Sequence, residues 1–183
     1  MKISLIILFS MIVSEETYKE PQYKLLNKDG NIEIRQYDNY VIAKTSINSI
    51  NKHENNMFRT LASYIFGENK KNQSIPMTAP VTTYLDSDTY NMIFYMLDAQ
   101  KIEDLPDPNG EDIVFENFNL GKCAVISFSW YTNESRINSY TNQLKKYVKD
   151  NNLIVNSSFM VNRYDPPWKM PFMRRNEILV QIN

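Results

Sequence analysis

The chain has 183 residues, of which 43% are hydrophobic and 22% charged, so it has the apolar content for one real core and too much of it for a disordered segment. Its 20 basic and 21 acidic side chains leave a net charge of -1, and no basic run exceeds the pairs Lys70-Lys71, Lys145-Lys146 and Arg174-Arg175. That excludes the electrostatic footprint of a nucleic-acid binder, and the single cysteine, Cys123, excludes a disulfide framework.

In chain order, "MKISLIILFSMIVS" comes first, with one lysine, an apolar run from Ile3 to Val13 and a small residue at Ser14 before Glu15-Glu16. Residues 1–14 read as a signal peptide, which predicts a secreted protein or one entering the secretory pathway; a cytoplasmic chain with a greasy N-terminus is the alternative. The run falls short of the roughly 20 residues needed to cross a bilayer, so no transmembrane segment is expected. The remainder, 15–183, reads as one domain.

Two similar halves follow, about 22–97 and 113–183, offset by about 80 residues. "NIEIRQYDNYVIAKTSI" and "DIVFENFNLGKCAVISFSWY" each alternate apolar and polar residues around a polar break, the period of paired half-buried strands. A helix is predicted after each pair. The first runs from about Asn51, with Asn51 as N-cap and Glu54 three residues on, to about Phe66 before Gly67. The second spans about Asn133 to Lys149, with Ile137, Tyr140, Leu144 and Tyr147 or Val148 on one stripe. Another strand pair closes each half: "SIPMTAPVTTYL" with "YNMIFYML", then "NSSFMVNRYD" with "NEILVQI". Pro76 and Pro80 cannot donate to a ladder, so the first of these is expected at a sheet edge or at a bulge. Between the halves, Asp98 to Asp112 is rich in Pro, Asp and Gly and reads as a surface connector. The fold class is therefore α+β: a strand-strand-helix-strand-strand repeat used twice, giving a distorted antiparallel eight-stranded barrel with two helices.

The chemistry-bearing residues are few. His53 is the only histidine and sits among Lys52, Glu54 and Asn55 on a polar face, so neither a protein-only metal site nor a Ser-His-Asp or Cys-His arrangement can be assembled around it. Cys123 lies in an apolar strand and reads as a core residue, and four scattered glycines make no phosphate cradle. No enzyme is predicted. The positive signal is aromatic: twelve Tyr, nine Phe and two Trp, with a first-helix stripe of Met57, Phe58, Leu61, Ala62, Ile65 and Phe66 wider than one core-facing row. Part of that stripe is expected to face a ligand and the rest the core. "YDPPWKMPFMRRNEILVQI", from Tyr164 to Ile182, packs prolines and Trp168 against Lys169, Arg174 and Arg175, a stiff greasy loop leading into a strand.

"IPMTAPVTTYL", then "YDPPWKMPFMRRNEILVQI", preceded by "YKLLNKDGNIEIRQYDNYVIAKTSI", resemble the SOUL heme-binding protein family over about Glu20 to Ile182. The resemblance implies a distorted barrel of two such repeats and a ligand, heme or a related porphyrin, held as cargo by a carrier, buffer or sensor. It places that ligand between the first helix and the proline-rich loop, at Asn55, Phe58, Arg59, Ala62, Ser63, Trp168, Lys169, Met170 and Phe172, with Lys169 as counter-charge to a propionate. The histidine that some members place within the motif read here as "IEIRQYD" is replaced by Gln36, so hydrophobic contact with no strong axial bond is expected; His53, Tyr64 and Met77 are the candidate iron ligands. Arg174 and Arg175 are expected to pair with Glu177 or sheet-edge carbonyls. Other amphipathic small molecules, or a partner helix in the same groove, are the alternative occupants. A monomer is expected, and the sequence names no protein partner.

Overall fold

The computed structural model describes residues 18–50 and 56–183. Nine strands and two helices follow one another: β1 (Tyr23–Asp29), β2 (Ile32–Tyr37), β3 (Asn39–Asn48), α1 (Met57–Ile65), β4 (Val81–Asp86), β5 (Thr89–Tyr95), β6 (Val114–Asn119), β7 (Lys122–Phe128), α2 (Glu134–Asp150), β8 (Met160–Arg163) and β9 (Asn176–Gln181). All strands join one antiparallel sheet in the order β1-β2-β7-β9-β8-β4-β5-β3-β6, which curls into a half-barrel. The α+β class stands, with one strand more than the expected eight. The ninth is β1, an exposed strand that makes a hairpin with β2 through Gly30 at φ 59°, a left-handed position natural to glycine. Its Leu25 and Leu26 break strict alternation, and its ladder slips register between Leu25 and Asn27.

Exchanging β2 for β6, β3 for β7, β4 for β8 and β5 for β9 turns the eight strands after β1 in that order into their own reverse. The exchange axis falls between β4 and β8, where Thr82 sits opposite Asn162 and its hydroxyl meets the Asn162 Oδ1 at 2.7 Å. β4 is thus central rather than at an edge, which corrects the expectation drawn from its prolines. Pro76 and Pro80 both precede the first paired residue, Val81, so no ladder hydrogen bond is lost; the Ala79–Pro80 peptide is cis, and the Ala79 N–H reaches the Lys19 carbonyl at 2.9 Å.

Alternation along the strands sorts side chains onto two faces. Val41, Ala43, Phe94 and Met96 meet Leu61, Tyr64 and Ile65 of α1, while Ala124, Ile126, Ile178 and Val180 meet Leu144 and Val148 of α2, so both helices cover the same face. The residues in between, Ile42, Ile93, Tyr95, Cys123, Val125 and Leu179, form a continuous core on the opposite face. Helix α2 begins where its sequence predicts: the Asn133 side chain accepts the Arg136 N–H at 2.9 Å, and Ile137, Tyr140, Leu144, Tyr147 and Val148 all pack inward. Helix α1 starts later than expected, after Asn56, whose side chain makes no capping bond; Asn51 and Glu54 lie outside the described residues. It stops at Gly67 (φ 110°), with the Glu68 N–H bonded to the Ser63 carbonyl at 2.9 Å. The stretch from Asp98 to Asp112 runs between β5 and β6 with one 3-10 turn at Ile102–Asp104, and Ile102 and Leu105 fold back onto the α1 core.

Candidate functional site: an exposed aromatic loop

The segment from Tyr164 to Arg175 is irregular apart from one 3-10 turn at Pro171–Met173, yet it is tied at many points. The Lys169 N–H bonds the Pro166 carbonyl at 3.1 Å and the Met173 N–H the Met170 carbonyl at 2.9 Å. Arg174 reaches back with Nε to the Lys169 carbonyl at 2.8 Å and with Nη2 to the Pro167 carbonyl, and its guanidinium lies over the Tyr131 ring, 5.2 Å from the centroid. Asp165 takes the Lys169 ammonium at 2.8 Å and the Arg175 N–H at 2.5 Å. Arg175 pairs with Glu20 and stacks over Tyr164 at 3.6 Å. The two arginines do stabilise the loop, but through its own carbonyls, Glu20 and two tyrosines rather than through Glu177.

Glu177 is occupied elsewhere. On the face away from the helices it accepts Arg35 Nη2 at 3.0 Å and the Tyr164 hydroxyl at 2.6 Å, while Arg35 also donates to Tyr37 at 2.9 Å and Glu33 at 2.8 Å. Burial alone would lower the Arg35 pKa; Glu177 and the Tyr37 hydroxyl together raise it. Tyr164 therefore anchors the loop by its hydroxyl, and burial holds that phenol well above its ordinary range.

What the loop leaves outside is apolar. Trp168 is 80% exposed, and Met170, Phe172 and Met173 are each more than half exposed. Trp130 and Tyr131, from the β7–α2 connection, extend the patch: the Trp130 N–H bonds the Pro171 carbonyl at 2.8 Å, and both side chains are about half exposed. Sequence reasoning missed these two, although the "SWYT" run between a strand and a helix N-cap is a place where two exposed aromatics have no core to fill.

On α1 the predicted stripe divides. Met57, Leu61, Ala62 and Ile65 are buried, whereas Phe58 and Phe66 face outward, Arg59 is exposed and Ser63 is half-buried. Phe58 packs its edge on Phe94 at 5.6 Å between centroids, leaving half of its surface free. Of the nine predicted contact residues, Trp168, Lys169, Met170 and Phe172 share the loop, Phe58, Arg59, Ala62 and Ser63 share α1, and Asn55 lies outside the described residues. Between the two groups lie the central strands: Arg163, the last residue of β8 before the loop, is opposite Val81, which packs in the α1 cluster with Phe94. Surface depressions lie instead around Leu97, lined by Ile75, Pro76 and Thr78 on one side and by Tyr40 and Asn117 on the other, away from Trp168 and Phe58.

The candidate iron ligands fare unequally. The Tyr64 hydroxyl is buried and donates to the Pro106 carbonyl at 2.9 Å, and its pKa is pushed up to about 12 by burial and the negative charge of Asp107, which disfavours a tyrosinate. Met77 is half-buried against the α1 core, and His53 is outside the described residues. Among the described residues, no group of three His, Cys, Asp or Glu side chains could hold a metal.

The fold is an α+β half-barrel bearing an exposed apolar surface on a loop tied down by its own hydrogen bonds. A family model described as "SOUL heme-binding protein" matches residues 18–181, and the chain belongs to that family. The chain is 27% identical over 165 residues to Heme-binding protein 2 of Homo sapiens, covering 84% of this chain and 80% of that one. It is similar in fold to an uncharacterized conserved protein from Listeria innocua (TM-score 0.64, 9% identity, 84% of this chain and 92% of that one) and to a hydrolase from the same organism (TM-score 0.56, 11% identity, 86% and 94%). At those identities the likeness is one of fold alone.

Proposed function

We propose that the protein binds heme or a related porphyrin as a non-catalytic carrier, buffer or sensor. The observation that carries the reading is Trp168: its indole is four-fifths exposed on a loop whose backbone is already fixed by Asp165, Arg174 and Trp130, in a chain of the heme-binding family. Ordering such a surface costs little on binding, because the loop's freedom is spent on folding. A flat macrocycle would lie on Trp168, Met170 and Phe172, with Trp130 and Tyr131 at its margin, and reach Phe58, Arg59, Ala62 and Ser63 of α1. Lys169, held by Asp165 at 2.8 Å, would share its charge with a propionate rather than offer an unpaired ammonium. Gln36 is exposed on β2 and gives its amide to the Tyr37 carbonyl, in keeping with binding that needs no axial bond from that strand.

The same reading takes residues 1–14 as a signal peptide, the two halves as copies of one unit and the protein as a monomer; the reversible strand order supports the second of these. The test is a titration with hemin and with metal-free protoporphyrin IX, followed by the Soret band and by tryptophan fluorescence. Saturable binding of both at similar affinity is expected. Absence of binding by either compound removes the reading, and binding of hemin alone would require an axial ligand.

A further inference from the structure

We propose that Arg163 is the anchor for a carboxylate of the bound ligand, a propionate if the ligand is a porphyrin. The inference rests on the tetrapyrrole reading and adds to it a residue on neither the loop nor the helix. Two arginines of the sheet, Arg35 buried and Arg163 half-buried, differ in their surroundings. Arg35 faces Glu177 and Glu33 and is charge-compensated. Arg163 lies on the other face, the one that carries the helices, and meets only hydroxyls: Nη1 donates to Thr83 Oγ1 at 2.8 Å, Nε donates to Thr132 Oγ1 at 3.0 Å, and the Tyr90 hydroxyl is alongside. No carboxylate among the described residues reaches it. Burial lowers its pKa and Tyr90 only partly offsets this, the reverse of the outcome at Arg35.

Buried charges in folded chains are paired, and one that is not calls for an explanation. Neutral hydroxyls fix the guanidinium plane without cancelling its charge. Thr83, Thr132 and Tyr90 take three of the five guanidinium N–H groups, which leaves two for the oxygens of a ligand. Arg163 thus offers an oriented, half-buried guanidinium with no carboxylate beside it. Its place suits the role. It precedes Tyr164 and the loop, its partner Thr132 follows Trp130 and Tyr131, and its cross-strand neighbour Val81 packs in the cluster that includes Phe94, on which Phe58 rests. The other cations of the loop are committed, Lys169 to Asp165, Arg174 to two carbonyls and Arg175 to Glu20.

The experiment titrates the full chain with protoporphyrin IX and with its dimethyl ester, which keeps the macrocycle and removes both charges. Wild type is expected to bind the diacid about ten-fold more tightly than the ester, the size of a charge-assisted hydrogen bond. Arg163→Gln should lose most of that preference, keeping only the share that Lys169 supplies, and Arg163→Lys should recover part of it. Because Arg163 is packed, a second measurement uses wild type alone: the Arg163 Nε–H resonance in ¹⁵N-labelled protein should move on adding the diacid and stay in place with the ester. A preference kept by the Gln variant, or an Nε–H signal indifferent to the diacid, overturns the anchor and leaves porphyrin binding standing. Failure of wild type to bind either compound overturns the tetrapyrrole reading and the anchor with it.

Discussion

Arg35 and Glu177 show what single side chains do in this sheet. Both are almost fully buried, they come from strands far apart in sequence, and each makes further hydrogen bonds, to Tyr37 and Glu33 or to Tyr164 and Ser127. Removing one partner strands the other's charge, so Glu177→Leu should cost about 3 to 5 kcal/mol in urea-unfolding experiments, far more than an exposed pair. Glu33, at the margin of this network, sets a pH dependence. Burial pushes its carboxyl up, but hydrogen bonds from Lys28 and Arg35 outweigh that and hold it below its ordinary value. A folded pKa below the unfolded one gives stability that is present above about pH 4.3 and is lost as pH falls through the folded value. The urea midpoint should therefore drop on acidification below that pH, and Glu33→Gln should flatten part of the drop. Cys123 behaves as the sequence indicates: it is buried, its thiol donates to the Leu120 carbonyl at 3.2 Å, and burial pushes its pKa up to about 12 against the pull of Arg35. A thiol reagent at pH 8 should leave it unlabelled until the chain is unfolded; rapid labelling of native protein would contradict that burial.

At the scale of elements, helix α2 was legible because a cap, a stripe and a length all agree, and Asn133→Ala should lower stability by about 1 kcal/mol in thermal or urea melts. Helix α1 was legible as apolar but not in how it divides, since six apolar side chains at helical spacing do not reveal which touch the sheet and which stay bare. The pairing of Phe58 with Phe94, from a strand that follows in the chain, makes that distinction. The proline-rich loop had a readable composition and hidden bonding. Its stiffness comes less from proline than from Arg174, Asp165 and the Trp130 N–H, contacts that span up to 41 residues and leave no periodic trace. Arg174→Ala should consequently weaken porphyrin binding several-fold while the melting temperature stays within a few degrees, because the bonds it makes are internal to a surface loop.

For the molecule as a whole, period-two alternation and the repeated motif order gave away eight strands and both helices, while pairing across halves was beyond reach. Nothing in "IPMTAPVTTYL" says that its strand will sit at the centre of a nine-stranded sheet against β8; the prolines argue for an edge, and only the start of pairing at Val81 removes the conflict. Arg163 escaped notice for the same reason, since a lone arginine ending a short strand gains meaning only when Thr83 and Thr132 are brought around it. The assembled picture has a polar network locking one face of the half-barrel, two helices covering the other, and an exposed aromatic loop at the junction between them. The most direct test of that picture is porphyrin binding by Trp168→Ala. With Trp168 four-fifths exposed, the variant should melt like wild type and lose about 1 kcal/mol or more of affinity for protoporphyrin IX. An unchanged isotherm in a normally folded Trp168→Ala protein would contradict the central claim that this loop is the ligand's wall.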